Sequence, residues 1–225
     1  MNQYSVFDIL GPIMIGPSSS HTAGAARLGK VARYIAGTDF NRVEFYLYGS
    51  FAKTYKGHGT DRALVAGILG MEPSDERLKN SIDIAKNSNI EISFHEEEND
   101  AFHPNTTKII FHKIDGKKVE VIGSSIGGGN IIITEIDGYA VKLTGDYPTL
   151  FIRQNDKKGV ISGVTSILTQ YDINVATMKV NRRGKGTEAS MVIELDSSIP
   201  NDMIEKINSV YNVLSVKSIN PIKER

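Results

Sequence analysis

The sequence predicts an α+β protein of two domains, an amino-terminal α+β domain over 1–147 followed by a ferredoxin-like βαββαβ module over 148–225. Three observations carry this. Helical apolar spacing precedes alternating spacing in the first part; turn-forming residues separate the segments; and the last part reads strand, helix, strand, strand, helix, strand over about 70 residues.

Taken in order, a helix is expected over 22–35 and a strand over 43–48. A short helix over 60–69 places Leu64, Val65 and Ile68 toward a core, and a helix over 75–87 does the same with Leu78, Ile82, Ile84 and Ala85. Strands are then expected over 90–94, 108–111, 119–122, 131–136 and 139–143. Asp115-Gly116 and Asp137-Gly138 are hairpin turns by residue type. The boundary is expected at Asp146-Tyr147-Pro148. Beyond it, a strand over 149–153 leads into a helix marked by Val160, Val164, Ile167 and Leu168, and a strand over 175–182 runs into the polar tip Arg182-Arg183-Gly184-Lys185-Gly186. A strand over 189–195, a helix from Pro200 with Met203, Ile204, Ile207 and Val210, and a strand over 213–219 complete the pattern.

Composition narrows the function. The 225 residues, 40% of them hydrophobic, can bury a core without staples. With 26 basic and 26 acidic side chains the formal net charge is zero, so there is no basic excess of the kind nucleic acids and membrane surfaces require. No apolar run approaches the roughly 20 residues of a membrane span. The first residues lack a secretory pattern, so a cytoplasmic location is expected. There is no cysteine, which excludes disulfides, thiol nucleophiles, Cys-ligated zinc and any iron–sulfur cluster held by the chain's own thiolates.

Several segments could carry chemistry. Gly16-Pro17-Ser18-Ser19-Ser20-His21-Thr22 sets four hydroxyls and a histidine at a helix entrance. There, free amides and the helix dipole favour a carboxylate or phosphate, with His21 as a proton carrier. The same residues read equally well as an N-cap and its loop. Lys56-Gly57-His58-Gly59-Thr60-Asp61 is a glycine-flanked histidine placed before a helix, or a plain turn and cap. His103-Pro104-Asn105 links two strands, while His95 and His112 read as structural. Three loop histidines could bind a metal, but none forms the i, i+4 pair of a zinc site. Gly24 to Lys30 has P-loop spacing but lacks the following hydroxyl and lies within a helix. Ser124 to Asn130 contains three glycines between strands, either a bulged bend or a close approach to a ligand. In the second domain Asn155, Gly159 and Val160 form a loop into a helix, and Asn174 is expected close by. A small amino acid could bind there through its carboxylate.

Ser5-Val6-Phe7-Asp8, the serine-histidine motif, Gly57-His58-Gly59-Thr60-Asp61, His103-Pro104-Asn105 and Gly127-Gly128-Gly129 together resemble the beta chain of the bacterial iron–sulfur L-serine dehydratases, in the family's order and across essentially the whole chain. The carboxy-terminal part is similar to an ACT domain, and the amino-terminal part to a domain shared with some phosphoglycerate dehydrogenases and associated with allosteric substrate binding. The resemblance implies a two-chain enzyme in which a cysteine-bearing alpha chain holds a [4Fe-4S] cluster and this chain provides no metal ligand. The implied reaction eliminates water from L-serine to give pyruvate and ammonia, with the partner's iron as Lewis acid and a histidine as base. On this basis His58 is expected to be the base, with His21 and His103 near the active site. Ser18, Ser19, Ser20, Thr22 and Asn105 are expected to hold or orient the substrate, and Asn155, Gly159, Val160 and Asn174 an effector. Self-association through the ACT domain is also expected. Two other readings are a non-catalytic amino-acid-sensing regulatory chain and a structural dimerisation module; neither accounts for proton carriers beside an anion site.

Overall fold

The computed structural model describes residues 13–219, so the motif Ser5-Val6-Phe7-Asp8 lies outside the described residues. The chain divides into two compact units, Met1–Gly138 and Tyr139–Arg225.

In the first unit a single π-helical turn, Ser19–Ala23, precedes helix α1, Gly24–Ala36. Strand β1, Phe40–Tyr48, follows, then α2, Gly49–His58, and α3, Thr60–Ile68. The helix expected over 75–87 is two pieces, a 3-10 turn at Glu76–Asn80 and α4, Ser81–Asn87. Helix α2 was not expected from the sequence. Its Gly49, Ser50, Thr54 and Gly57 are weak helix formers and only Phe51 and Ala52 are buried, so tertiary packing decides it.

Strands β2 (Glu91–Glu97), β3 (Thr106–Lys113), β4 (Lys118–Gly127) and β5 (Asn130–Ile136) complete the unit. Within it the sheet order is β2-β1-β3-β4-β5. The β1–β2 pair is parallel, because three helices intervene between these strands; the other pairs are antiparallel, β3–β4 and β4–β5 as hairpins and β1–β3 between strands distant in the chain. One face carries Val43, Phe45 and Leu47 of β1 opposite Ile109 and Phe111 of β3, all fully buried. Helix α1 lies on β4 and β5, α2 on β1 and β2, and α1 and α3 cross in contact. That crossing is close: a Cβ on Gly67 would collide with the Ala26 carbonyl oxygen, and one on Gly29 with that of Leu64. The glycine run closes the β4–β5 hairpin, with Gly127, Gly128 and Gly129 all at positive φ (103°, 61° and 82°), a backbone path that side chains resist.

The second unit contains β6 (Tyr139–Leu143), β7 (Thr149–Asn155), α5 (Val160–Gln170), β8 (Val175–Arg182), β9 (Glu188–Leu195), α6 (Asn201–Asn208) and β10 (Val213–Ile219). The sheet order β10-β7-β9-β8, wholly antiparallel, is that of the βαββαβ module the sequence pattern predicts. Its core joins Leu150 and Ile152 of β7, Val164 and Leu168 of α5, Met191, Ile193 and Leu195 of β9, and Met203 and Ile207 of α6. Val210, expected in the α6 stripe, lies just beyond the helix end.

Candidate active site

The first unit brings His21 and His58 together. Ser18 caps the π-turn, its Oγ accepting the His21 amide at 3.2 Å, while its carbonyl accepts the Thr22 amide at 2.9 Å. This turn presents the His21 ring to α2. His21 Nε2 lies 3.1 Å from Ser50 Oγ, and its Nδ1 lies 3.4 Å from Ser18 Oγ. A hydroxyl donates or accepts, so these two serines satisfy either tautomer of the imidazole. The ring stands edge-on to Phe51, with 5.4 Å between centroids, and 4.8 Å from the ring of His58. Burial, and secondarily the adjacent His58, hold the His21 pKa below its ordinary 6.5.

His58 reaches this position at a corner. Gly59, at φ 69°, is at once the C-cap of α2, donating to the Tyr55 carbonyl, and the residue whose carbonyl accepts the Ala63 amide in the first turn of α3. The exposed His58 therefore ends α2, whereas the sequence placed it only ahead of a helix. Thr22 Oγ1 donates to the His58 carbonyl at 3.4 Å, tying the corner back to the π-turn.

The remaining predicted residues divide. Ser19 and Ser20 are half-buried in the π-turn, the Ser19 carbonyl accepting the Gly24 amide. His103 is exposed, and its Nδ1 accepts the Asn105 amide at 3.2 Å. Its loop is nonetheless held against α2: the Pro104 carbonyl accepts the Phe51 amide at 3.2 Å, and Gly49 leaves no room for a Cβ beside Pro104. Asn105 Nδ2 donates to the Ser125 carbonyl at 3.5 Å. Ser125 in turn abuts Gly24 at the start of α1, and its buried Oγ has no partner among the described residues. The serine-histidine turn, Ser50, the His58 corner and the Pro104 loop are thus joined around α2. Ser50 escaped the sequence reading because nothing in its neighbourhood marked it.

In the second unit the Asn155 amide donates to the Asn212 carbonyl, with the two side chains 3.4 Å apart, and Gly159, at φ 91°, is the N-cap of α5, with Val160 its first, buried residue. Asn174 does not join them. Asn155 pairs with Glu188 at the start of β9, whereas Val175 pairs with Leu195 at its end, so Asn174 lies at the opposite end of the sheet, bonded to Asp196 at 2.5 Å. The correction is topological: α5 carries the chain back along the sheet before β8 begins.

Among the described residues no three His, Asp or Glu side chains converge on a point that could hold a metal ion, and the chain has no thiolate, so its residues do not fit an iron–sulfur cluster. No helix of the described residues is long and apolar enough to cross a membrane.

Fold and site define the class: a two-unit α+β chain with a histidine pair built on helix corners in one unit and a βαββαβ module as the other. Residues 5–136 match the family described as serine dehydratase beta chain, and residues 149–210 match the ACT domain. The chain is 46% identical over 219 residues to a probable L-serine dehydratase beta chain of Bacillus subtilis, covering 97% of this chain and 99% of that one. It is 42% identical over 220 residues to the L-serine dehydratase beta chain of Peptoniphilus asaccharolyticus, with the same coverage. It is also 34% identical over 200 residues to a D-3-phosphoglycerate dehydrogenase of Methanocaldococcus jannaschii, covering 87% of this chain but 37% of that one. The chain belongs to the serine dehydratase beta-chain family.

Proposed function

We infer that this chain is the beta subunit of a cytoplasmic L-serine dehydratase, a lyase subunit that supplies the proton-handling groups while a cysteine-bearing alpha chain ligates the [4Fe-4S] cluster. The carrying observation is the packed pair His21–His58, at 4.8 Å, set on a turn rich in hydroxyls.

In this reading His58, exposed at its corner, removes the Cα proton of L-serine. The Cα–H electrons form the Cα=Cβ bond as the Cβ–O bond breaks, and the hydroxyl leaves as water with the proton that His58 has taken up. Aminoacrylate then tautomerises to the imine and hydrolyses to pyruvate and ammonia. His21, kept neutral by burial, and Ser50 hold the proton network behind His58. Ser18, Ser19, Ser20 and Thr22 orient the substrate, and His103 and Asn105 close the site from the Pro104 loop. This chain does not turn over serine alone, because it has no thiolate and its described residues offer no ligand set for the cluster. The second unit self-associates and senses an amino acid at the turn of Asn155, Gly159 and Val160.

Anaerobic co-expression with a candidate alpha chain, followed by a pyruvate assay, tests the assignment. Serine-dependent pyruvate from the pair and none from either chain supports it; an inactive pair with an intact cluster refutes it. Serine titration of this chain tests the effector turn, where loss of saturable binding in Asn155→Ala is expected.

A further inference from the structure

We propose that the basic cleft beside His58 is the subsite that takes the carboxylate of the amino-acid substrate, an inference that rests on the reading of this chain as a serine dehydratase subunit. The cleft, of about 250 Å³, is walled by Gly16, Thr22, Lys56, His58, Arg62 and Lys79 and suits a molecule of a few heavy atoms. Among the described residues no Asp or Glu lines it; the carboxylate of Asp61, beside Arg62 in the chain, is felt by both Arg62 and Lys56. Lys56, Arg62 and Lys79 are exposed and, among the described residues, none of the three is in an ion pair. Three like charges around one concavity, against the single carboxylate of Asp61, leave a positive potential that an anion relieves.

The site is built, not a chance of side-chain drift. The buried Ser81 Oγ donates to the Arg62 carbonyl at 2.7 Å, pinning α3 to the start of α4, immediately after the turn that bears Lys79. The wall also carries a glycine that the chain itself does not need. Gly57 lies in the last turn of α2 without a positive φ, and a Cβ there would meet nothing within 4 Å. Alanine is the better helix former at such a position. The space is therefore open toward something other than this chain.

Placing the carboxylate among these cations sets the adjoining Cα beside His58. Cations on the carboxylate also stabilise the negative charge that develops as the Cα proton leaves. The hydroxyls of the π-turn are then left to orient the substrate's own hydroxyl. This gives a specificity rule: the site selects for a carboxylate next to the reacting carbon.

The test uses the two-chain enzyme with L-serine and the neutral analogue L-serinamide. In Arg62→Gln/Lys79→Gln, both at exposed positions, KM for L-serine rises about tenfold or more, kcat falls as well, and the preference for L-serine over L-serinamide collapses. Gly57→Ala folds normally and also raises KM. Unchanged KM and unchanged preference in the double variant overturn the proposal. So does dissociation of the alpha chain from a double variant whose remaining complex keeps a normal KM, which would make the cleft a dock for an acidic partner surface. Should the wild-type pair show no serine turnover, the parent reading fails while the subsite is still judged on this chain alone with acetate. Saturable shifts of the Gly57 and Arg62 amides that vanish in the double variant support it, and their absence in wild type overturns it.

Discussion

The two units differ in where they put the polar side chains that stand out in the sequence. In the second, the asparagines singled out in the sequence are paired within the fold, Asn155 with Asn212 and Asn174 with Asp196, and the neighbouring Asp156 pairs with Arg182 and the Gly186 amide. In the first, the singled-out residues gather around one helix, with an exposed histidine at a corner, three exposed cations lining the cleft beside it and, among the described residues, the buried hydroxyls of Ser125 and Thr60 without partners. A fold that leaves polar groups unpaired gives up stability locally. Both units bear some of that cost, since among the described residues Gln154 Oε1 and Ser190 Oγ of the second are also buried without partners. Only in the first does it fall beside a histidine pair, as expected where chemistry rather than packing sets the residues.

The difference between the units is largest at His58. In the two-chain enzyme His58→Ala is expected to lower turnover about 10²–10⁴-fold with the complex intact, whereas Asn155→Ala leaves unstimulated turnover unchanged. Near-normal pyruvate formation by the His58 variant would remove the distinction between the units. Phe45→Ala opens the first core and is expected to cost about 3–5 kcal/mol by denaturant unfolding. Because the Leu150–Ile207 cluster is built from second-unit residues alone, hydrogen exchange in α5 and β9 should stay slow in that variant. Gly67→Ala drives a methyl into the Ala26 carbonyl at the α1–α3 crossing, with an expected loss of about 1–3 kcal/mol. Asp156→Asn removes the ion pair with the largely exposed Arg182 and should cost no more than about 1 kcal/mol, seen as faster exchange at the β8–β9 tip.

The smallest effect is a pH dependence. His21 titrates below its ordinary 6.5 in the folded chain because burial, and then His58, disfavour its charge. Its contribution to stability is therefore fully present above pH 6.5 and is lost as the pH falls through the lowered folded value. Tm measured from pH 7.5 down to pH 5 should fall more for wild type than for His21→Gln. Equal falls would show that the ring is not protected from protonation in the fold.

Legibility in the sequence follows the same division. The second unit was readable almost to the residue, including β10 at Val213–Ile219, because alternating and helical apolar patterns there are unbroken and its turns are polar. In the first unit β1 and α3 were readable, but α2 was not, since Gly49, Ser50 and Gly57 carry no helical pattern and the helix exists by packing Phe51 and Ala52. The histidine motifs were visible as motifs; their partners Ser50, Arg62 and Lys79 were not, being ordinary polar residues until folded together. Asn174 failed for the complementary reason, since nearness along the pattern says nothing of which end of a strand a residue occupies.

By itself the sequence determined the βαββαβ order, the residue types available for chemistry and the absence of any thiolate, because these depend on local periodicity and composition alone. Only the tertiary structure decided that His21 meets His58, that Ser50 stands behind them and that Lys56, Arg62 and Lys79 face one cleft. Those juxtapositions arise from helices crossing at glycines and turning at Gly59, long-range packing that no local pattern encodes.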